Sequence, residues 1–503
     1  MFAYTKQNWM DIYRKTLSIL AAVCTTAGLH CAYAQCPDEI MESIVGSRDF
    51  SGASIGILAV TGGDTLLCHD SDRLLLPASN MKLVTTALAL HSLGPDYRYE
   101  TRLGYTGEIT GGILKGDLYI IGGGDPTTGS SNRIALPLDS LFGEWAGFIS
   151  DAGITGIDGH IIGDGSFFTG MDEHPTWELC DAGTYYGTGT SGLSFYENTQ
   201  DFRVAAGTDP GDPLEIKPVY PESPWMKFIY SCSTGKAGTG NTLYFYPDSF
   251  SPVGEMRGTF AVDRKPKTES ASNKFPEYTV AWYFLKFLEA RGVKCTEGPA
   301  DTGPVFGTGR RPENITIIGG TASPTLAEIA GVTNRDSNNL YAETLMKTLG
   351  KEYCGSGCYD SAYVAVKGLL DELGVRGYRF QIKDGSGLSR ENLVSAGFLC
   401  DLLLQMMQSP SFEDFFNSLP YPGGHGTLEF NMQTVPSEVK TRIHMKSGSM
   451  GGVRCFSGYI TPVSGSKEDT VIFSILINGF TAPLSRIQSG IDRIILSLAE
   501  DRD

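Results

Sequence analysis

The sequence predicts an α/β (α+β) fold in which one discontinuous domain carries a β-rich insertion. A hairpin pattern and an apolar helix stand near the N-terminus. Short β-like runs separated by glycines then dominate residues 98–311. Helical patterns return after about residue 312 and end in three strand candidates and an amphipathic helix. We therefore predict one domain formed by residues 36–97 and 312–503, interrupted at 98–311.

The first 34 residues have the pattern of an export signal. Basic residues precede an apolar run of small residues at 16–29, and Ala32-Tyr33-Ala34 fits the small-x-small cleavage rule. The run is too short to read well as a spanning helix, and no later stretch approaches that length. We expect cleavage after about Ala34 and an exported protein. The aromatic Tyr33 disfavours a lipid anchor at Cys36.

The composition narrows the class of protein. The apolar fraction of 41% and the aromatic fraction of 11% are typical of a globular chain. A length of 503 residues predicts about two to four domains. The net charge of −17 argues against nucleic acid and against an anionic membrane surface as partners.

Of the 11 cysteines, Cys24 and Cys31 lie in the export signal, which leaves nine. Export permits disulfides, but an odd number leaves at least one thiol unpaired, and the connectivity stays open. Cys354 and Cys358 are spaced for a local bridge. As a zinc half-site they lack a partner pair and a nearby histidine, so we expect no metal and no cofactor.

The predicted elements follow in order. Residues 51–60 and 65–69 form a hairpin around a Gly-Gly turn, and an apolar helix runs from Pro77 to Leu90. The insertion is expected to hold two nested β-rich domains, the inner one at about 195–272. Its strand-like runs and its one helix are at 99–105, 114–122, 153–163 and 278–290.

The part of the chain after the insertion is predicted to be helical first and then a sheet. Helical patterns cover 326–330, 340–349, 361–373 and 394–407. Strand candidates and the final amphipathic helix cover 441–445, 453–461, 470–478 and 483–499.

The start of the first helix contains Ser79 and, three residues later, Lys82. Positions i and i+3 of a helix are neighbours, so the Lys82 amine can reach the Ser79 hydroxyl. A serine needs a neighbouring base to become a nucleophile, and a helix N-terminus favours developing negative charge. An ordinary N-cap serine is the alternative, because Ser-x-x-Lys also occurs at 233–236, 437–440 and 464–467.

Two further motifs belong to the same acyl-transfer chemistry. Ser337-Asn338-Asn339 is a Ser-x-Asn motif before a helix, and Lys446-Ser447-Gly448-Ser449 ends a strand. Single copies are weak signals, since Ser-x-Asn also occurs at 130–132 and Lys-x-Gly at 383–385. The three motifs in order, each in the required context, predict a nucleophile with helpers.

Each helper has a predicted role. Ser79 attacks a carbonyl, and Lys82, with a pKa lowered by burial among cations, takes its proton. Ser337 relays that proton to the leaving nitrogen. Asn339 holds Lys82 and the substrate amide. Lys446 binds a carboxylate and helps to lower the pKa of Lys82.

The strand that follows Lys446 is predicted to bind substrate through Ser447, Gly448 and Ser449. The backbone N–H groups of Ser79 and Ser449 would form an oxyanion hole. One such donor is typically worth ~3 kcal/mol of barrier.

The chain resembles the D-Ala-D-Ala carboxypeptidases/endopeptidases of peptidase family S13, the DacB-like class C penicillin-binding proteins. Besides the three motifs, the likeness includes the segments 122–126, 338–343 and 384–390. It implies a periplasmic enzyme with a transpeptidase/β-lactamase-like serine hydrolase domain and an inserted pair of β-rich domains. It also implies hydrolysis of D-Ala-D-Ala ends or D-Ala-diaminopimelate cross-links in peptidoglycan stem peptides. Ser79 would form the acyl-enzyme and would be acylated covalently by β-lactams.

The resemblance further implies a pocket for the diaminopimelate side chain, matched here by Asp181, Tyr186 and Arg390. Relatives carry phenylalanine at the position of Tyr186 and a glutamine where this chain has Gly451. These departures leave the side-chain specificity open. A cap, a packing contact and a salt bridge are the alternative roles of the three residues.

Two other functions compete. A serine β-lactamase or esterase would use the same nucleophile, but a class A β-lactamase typically needs Glu-x-x-Leu-Asn, and no Leu-Asn pair occurs. A non-catalytic penicillin-binding wall module would have lost Lys82, Ser337 or Lys446, and all are present. The sequence leaves open the balance of carboxypeptidase and endopeptidase activity, a homodimer, and the role of the insertion.

Overall fold

A computed structural model describes residues 36–308, 312–463 and 465–500. The predicted export signal at residues 1–34 lies outside the described residues. Within the described ranges, no helix combines the length and the apolar character needed to cross a membrane.

The helices are α1 (Pro37–Val45), α2 (Met81–Leu93), α3 (Leu138–Asp151), α4 (Pro276–Glu289), α5 (Leu326–Arg335), α6 (Asn339–Cys354), α7 (Tyr359–Leu373), α8 (Ala396–Met406), α9 (Phe412–Ser418), α10 (Ser437–Lys440) and α11 (Leu484–Ala499). The strands of the first and inserted segments are β1 (Ser54–Thr61), β2 (Asp64–His69), β3 (Glu100–Tyr105), β4 (Glu108–Thr110), β5 (Ile113–Lys115), β6 (Leu118–Ile121), β7 (Gly156–Asp158), β8 (His160–Asp164), β9 (Thr199–Ala205), β10 (Glu215–Tyr220), β11 (Lys227–Gly235), β12 (Tyr244–Pro247), β13 (Val253–Ala261), β14 (Lys267–Ser272), β15 (Lys294–Cys295) and β16 (Gly298–Asp301). The later strands are β17 (Thr316–Ala322), β18 (Ile443–Met450), β19 (Val453–Ile460) and β20 (Val471–Asn478).

Both ends of the chain build one antiparallel sheet. Its strand order is β18-β19-β20-β1-β2, and β1 pairs with β20 from Ser54 opposite Asn478 to Val60 opposite Ile472. Residues separated by more than 400 positions are therefore hydrogen-bonded neighbours, as in the pair Ser54 and Asn478. This pairing makes the first and last segments parts of a single structural unit.

Helices cover both faces of this sheet. Successive side chains of a strand point to opposite faces. Phe456 and Ile475 pack against α1 and α11, whereas Cys455 and Leu476 pack against α2 and the helices α5 to α8. Burial on both sides explains why β20 is an almost continuous apolar run, interrupted only by Ser474 before its last residue.

The helix α2 lies at the centre of the second layer, where every residue from Met81 to Leu90 is buried. A helix that is apolar on all sides is stable only inside a core. Its position places the Ser-x-x-Lys motif at the boundary between the sheet and the helical layer.

The inserted segment forms sheets of its own. The strand orders β16-β8-β6-β3-β17 and β15-β7-β5-β4 lie together with α3 and α4, whose core contains Trp145 and Phe284. Two three-stranded sheets, β10-β9-β14 and β11-β13-β12, enclose a smaller core around Phe202 and Phe260.

Two elements in or next to the insertion were not predicted from the sequence. The helix α3 was not expected, although its buried residues Leu141, Trp145 and Ile149 recur at helical spacing within glycine-containing sequence. The strand β17 pairs with β3, although it follows the boundary at residue 311. The division of the chain into domains stays a prediction.

All nine cysteines in the part of the chain that the structure describes are free thiols. Cys400 and Cys455 are buried in the core, where burial raises the pKa of the Cys455 thiol to about 12. The structure therefore contains no bridge between Cys354 and Cys358.

A buried polar contact joins the start of α2 to the sheet. The Asn80 amide donates to Ser457 Oγ on β19 over 2.7 Å. The Ser457 hydroxyl in turn shares a hydrogen bond of 2.8 Å with Ser474 on β20. All three side chains are buried, so each depends on the others for its hydrogen bonds.

We predict that Ser457→Ala lowers the free energy of unfolding by about 1–3 kcal/mol, because the buried Asn80 amide loses its acceptor. Urea unfolding measures the change. Ser437→Ala is the matched control, since Ser437 is exposed on α10. Equal stability of the two variants would contradict the role of this contact.

Candidate active site

Ser79 lies in a single 3-10 turn, Ala78–Asn80, that leads into α2. The sequence analysis placed the serine at the start of the α-helix itself, but the α-helix begins at Met81. Ala78 has a φ of 45°, a strained left-handed conformation for a residue with a side chain. Ser79 borders a cavity of about 660 Å³, together with Ser337, Asn339 and Ser449.

The Lys82 amine is fully buried and has three oxygen neighbours. Its Nζ lies 3.1 Å from Ser79 Oγ, 2.6 Å from Asn339 Oδ1 and 2.9 Å from the carbonyl oxygen of Ser386. The predicted neighbours Ser79 and Asn339 are both present. The Ser386 carbonyl is a third neighbour that the motifs did not reveal.

These three oxygens orient the amine when it is neutral. A neutral amine has two N–H groups and one lone pair, whereas an amide oxygen and a backbone carbonyl can only accept. Asn339 and Ser386 therefore engage the two N–H groups. The lone pair is left for the Ser79 hydroxyl, which is the arrangement that a general base requires.

Burial lowers the pKa of the Lys82 amine to about 7, although the carboxylates Glu343 and Asp384 act to raise it. The expected cause, burial, is correct. The expected cationic neighbour is present as well, because the charges of Lys82 and Lys446 interact, whereas the carboxylates Glu343 and Asp384 were not expected. A substantial fraction of the amine is consequently neutral at neutral pH.

Lys446, on β18, is the second buried amine of the site. It donates to Ser337 Oγ over 3.0 Å and to the carbonyl oxygen of Ser447 over 2.8 Å. Burial lowers its pKa well below the usual range, and the nearby charges of Lys82 and Arg454 lower it further. Two neighbouring buried amines are not easily protonated at the same time. An anion bound next to Lys446 would offset this repulsion and favour the charged form of Lys446.

Ser337 lies between α5 and α6 with a φ of 59°, a second left-handed residue at this site. Its oxygen accepts from Lys446, so its own O–H can donate elsewhere. Asn339 donates from Nδ2 to the carbonyl oxygen of Tyr186 over 2.8 Å. That contact from the inserted segment fixes which end of the Asn339 amide faces Lys82.

Gly448 allows β18 to pass directly against the turn of Ser79. A Cβ at Gly448 would lie 2.6 Å from the Pro77 carbonyl oxygen and 3.1 Å from the Ser79 nitrogen. Ser449, the next residue, borders the cavity, and the Ser447 hydroxyl donates to Thr427 Oγ1 over 3.3 Å. The backbones of Ser79 and of this strand edge are therefore adjacent.

The three predicted pocket residues border the same cavity as Ser79. The Tyr186 hydroxyl donates to Asp181 Oδ1 over 3.2 Å, and Arg390 pairs with Glu178 at 2.9 Å. Burial raises the pKa of Asp181. Gly451 lies beside them, and a Cβ there would be 3.5 Å from the Arg390 guanidinium.

A metal ion has one candidate location among the described residues. Glu178, Cys180 and Asp181 place their ligand atoms within 4.8 Å of one another. The first two are exposed, and Glu178 is already paired with Arg390. All three residues border the cavity next to Ser79.

Two buried carboxylates near Lys82 were missed by the sequence analysis. Glu343 accepts from the backbone nitrogens of Gly385 and Ser386, and Asp384 accepts from those of Gly387 and Ser389. In the sequence, the segment 384–390 was predicted only to carry the family resemblance and the pocket residue Arg390. The small residues that follow Asp384, whose backbone N–H groups can approach a carboxylate closely, were the available signal.

The fold and the site together are those of a serine hydrolase, with a buried lysine amine beside the serine hydroxyl. The model of the D-Ala-D-Ala carboxypeptidase 3 (S13) family matches residues 39–497. The chain therefore belongs to this family of peptidases.

Individual relatives agree with this assignment. A D-alanyl-D-alanine carboxypeptidase from Actinomadura sp. is 30% identical over 481 residues, which are 92% of this chain and 84% of the relative. The DacB carboxypeptidase of Haemophilus influenzae is 23% identical over 435 residues, 86% of each chain. The crystal structure of penicillin-binding protein 4 (dacB) from Haemophilus influenzae superposes with a TM-score of 0.78 at 20% identity. That match covers 92% of this chain and 99% of the other, and it shows the same fold.

We predict that Gly448→Ala slows acylation of Ser79 about 100-fold, because the added methyl group pushes β18 away from the serine turn. Labelling with a fluorescent penicillin measures the rate. Gly143→Ala is the control, since a Cβ at Gly143 on α3 meets no atom within 4 Å. Unchanged labelling of the Gly448 variant would contradict the close approach.

The rate of acylation should rise with pH around a midpoint of about 7, because only the neutral Lys82 amine can take the serine proton. The sign follows from the lowered pKa, since the base is lost as the pH falls below it. Rates of penicillin acylation across the pH range locate the midpoint.

His174 provides a control for this profile, because burial lowers the pKa of its imidazole and it lies near Asp384. His174→Gln should leave the midpoint in place. A rate that does not change with pH would contradict the role of Lys82.

Proposed function

We propose that the protein is a penicillin-sensitive serine DD-peptidase that hydrolyses D-Ala-D-Ala ends or D-Ala-diaminopimelate cross-links of peptidoglycan. The observation that carries the proposal is the buried Lys82 amine, 3.1 Å from Ser79 Oγ with both N–H groups engaged elsewhere. Membership of the S13 family supports the peptide substrate. So do relatives that are named D-alanyl-D-alanine carboxypeptidases.

The residues fit a two-step reaction. Ser79 Oγ attacks the D-Ala carbonyl carbon while Lys82 takes the hydroxyl proton. The backbone N–H groups of Ser79 and Ser449 would stabilise the oxyanion. The C–N bond then breaks, and the Ser337 hydroxyl relays the proton from Lys82 to the leaving amine. Water next attacks the Ser79 ester while Lys82 takes one of its protons, and that proton returns to Ser79 Oγ as the free acid leaves.

Lys446 would bind the carboxylate of the leaving amino acid. Both candidate leaving groups, D-alanine and the D-centre of diaminopimelate, carry a carboxylate next to the amine. A bound carboxylate would raise the pKa of Lys446 and convert it to the ammonium form. In the free enzyme, Lys446 is held by Ser337 and by the backbone of Ser447.

The rim formed by Asp181, Tyr186 and Arg390 would receive the side chain of the third residue of the stem peptide. Asp181 and Glu178 offer acidic groups and Arg390 a basic one, which suits an end that carries both an amine and a carboxylate. Gly451 leaves open space next to Arg390. We expect this chain to tolerate larger or amidated side chains there.

The predicted export signal is consistent with a peptidoglycan substrate. Peptidoglycan lies outside the cytoplasmic membrane, and a cleaved signal at residues 1–34 would deliver the enzyme to the periplasm. The H. influenzae penicillin-binding protein 4 has been crystallised with a β-lactam. The geometry around Ser79 supports the same covalent acylation here.

We predict that Ser79→Ala abolishes release of D-alanine or cleavage of cross-links, because the acyl-enzyme can no longer form. Mass spectrometry of the products from defined monomeric and cross-linked muropeptides measures both activities. Ser233→Ala is the matched control, since Ser233 begins another Ser-x-x-Lys match on β11. Full activity of the Ser79 variant would refute the proposal.

The same preparation separates the alternatives. Loss of terminal D-alanine without cross-link cleavage leaves the carboxypeptidase activity alone. A penicilloyl adduct that is released within seconds indicates a β-lactamase instead. Binding of penicillin without any product from either muropeptide indicates a wall-binding module.

A further inference from the structure

The buried carboxylate of α6, Glu343, has no place in the proposed reaction. Glu343 is completely buried and lies one helical turn after Asn339, on the same face of α6. Asn339 reaches Lys82 directly, whereas Glu343 accepts two backbone hydrogen bonds from the segment 384–390. Its Oε2 accepts from the Gly385 nitrogen over 3.1 Å and its Oε1 from the Ser386 nitrogen over 2.7 Å.

Those two bonds hold the backbone of Gly385 and Ser386, and the carbonyl group of Ser386 faces the general base. The Ser386 carbonyl oxygen accepts from Lys82 Nζ over 2.9 Å. The chain of contacts therefore runs from Glu343 through one residue of backbone to the amine. Loss of the Ser386 contact would free one N–H group of Lys82, and the lone pair would no longer be held toward Ser79.

The segment 384–390 is also held by close packing against its neighbours, in addition to the two hydrogen bonds with Glu343. A Cβ at Gly385 would lie 2.6 Å from the Ala342 carbonyl oxygen on α6, and a Cβ at Gly387 would lie 1.8 Å from that of Ala78. Gly387 also has a φ of 84°, which favours glycine. The segment thus fits between α6 and the serine turn, and Glu343 sets its position along α6.

We propose that Glu343 is a positioning residue of this active site, which holds the Gly385–Ser386 backbone so that the Ser386 carbonyl orients the Lys82 amine. The proposal rests on the proposed function, in which Lys82 is the general base. Glu343 touches neither Ser79 nor the cavity that would hold substrate. Its effect reaches the reaction only through Lys82.

The effect of Glu343 on the pH profile of acylation depends on the titratable groups around it. Lys347 on its own helix, Lys82 on α2, Asp384 in the segment and Tyr359 on α7 all interact with it. Farther out, Lys446 on β18 interacts with Lys82, and His174 of the insertion with Asp384.

Burial raises the pKa of Glu343 to about 7, and the charge of Asp384 adds to that rise. Glu343 in turn raises the pKa of Lys82. Removing the Glu343 carboxylate should therefore lower the pKa of Lys82, not raise it.

The test compares Glu343→Gln, Glu343→Asp and the control Glu352→Gln by the rate of penicillin acylation as a function of pH. Glu352 lies on the same helix but is exposed. For Glu343→Gln we expect a midpoint about one pH unit lower, because a nearby carboxylate is lost. Its plateau rate should fall about tenfold, because the amide cannot accept both backbone bonds and Lys82 is less well oriented.

Glu343→Asp separates position from charge. This variant keeps the carboxylate but shortens its side chain by one methylene. We therefore expect a lower plateau rate, whereas the midpoint of the pH profile should be that of the unaltered enzyme. Glu352→Gln should match the unaltered enzyme in both quantities.

A purely structural role predicts a lower melting temperature for Glu343→Gln with the midpoint and plateau rate unchanged, and that result overturns the proposal. If Glu343→Gln does not fold, Glu343→Asp decides, and an unaltered plateau rate for it overturns the proposal. Absence of acylation in the unaltered enzyme and in Glu352→Gln would instead refute the proposed function itself.

Discussion

The site depends on one constraint. The Lys82 amine must be buried next to Ser79, and its lone pair must still point toward the serine hydroxyl. Burial, opposed by the carboxylates Glu343 and Asp384, lowers the pKa of Lys82 to about 7, but it does not decide where the lone pair points. The direction comes from two oxygens that can only accept, Asn339 Oδ1 and the Ser386 carbonyl. Each of these belongs to a different part of the fold. The reactive geometry is therefore a property of the tertiary structure and not of the Ser-x-x-Lys motif.

The surrounding architecture supplies the rigidity that this arrangement needs. The sheet unites the two ends of the chain, and β18 brings Lys446 and Gly448 to the serine turn. The buried helix α2 presents Lys82, and its entry is tied to the sheet by Asn80 and Ser457. Left-handed backbone at Ala78 and Ser337 shows that strain is accepted on both sides of the cavity.

Residues of the inserted segment contact the residues around Lys82 directly. The Tyr186 carbonyl fixes the Asn339 amide, and the Trp177 indole donates to Asp384 over 2.8 Å. Lys274, almost completely buried, pairs with Glu173 and donates to the Ala182 carbonyl. One loop of the insertion thus contacts both Asn339 and Asp384 and also carries Asp181. The same loop borders the cavity next to Ser79.

The sequence by itself determined the order of the motifs, the fold class and the family, because local spacing and apolar periodicity are carried by neighbouring residues. It also predicted the contacts of Lys82 with Ser79 and Asn339. Only the tertiary structure placed Glu343, Asp384 and the Ser386 carbonyl, since backbone oxygens have no signature in the sequence and a buried carboxylate has no fixed spacing from its partners. The helix α3 was missed because glycines concealed its period, and β17 because strand pairing depends on residues more than 200 positions away.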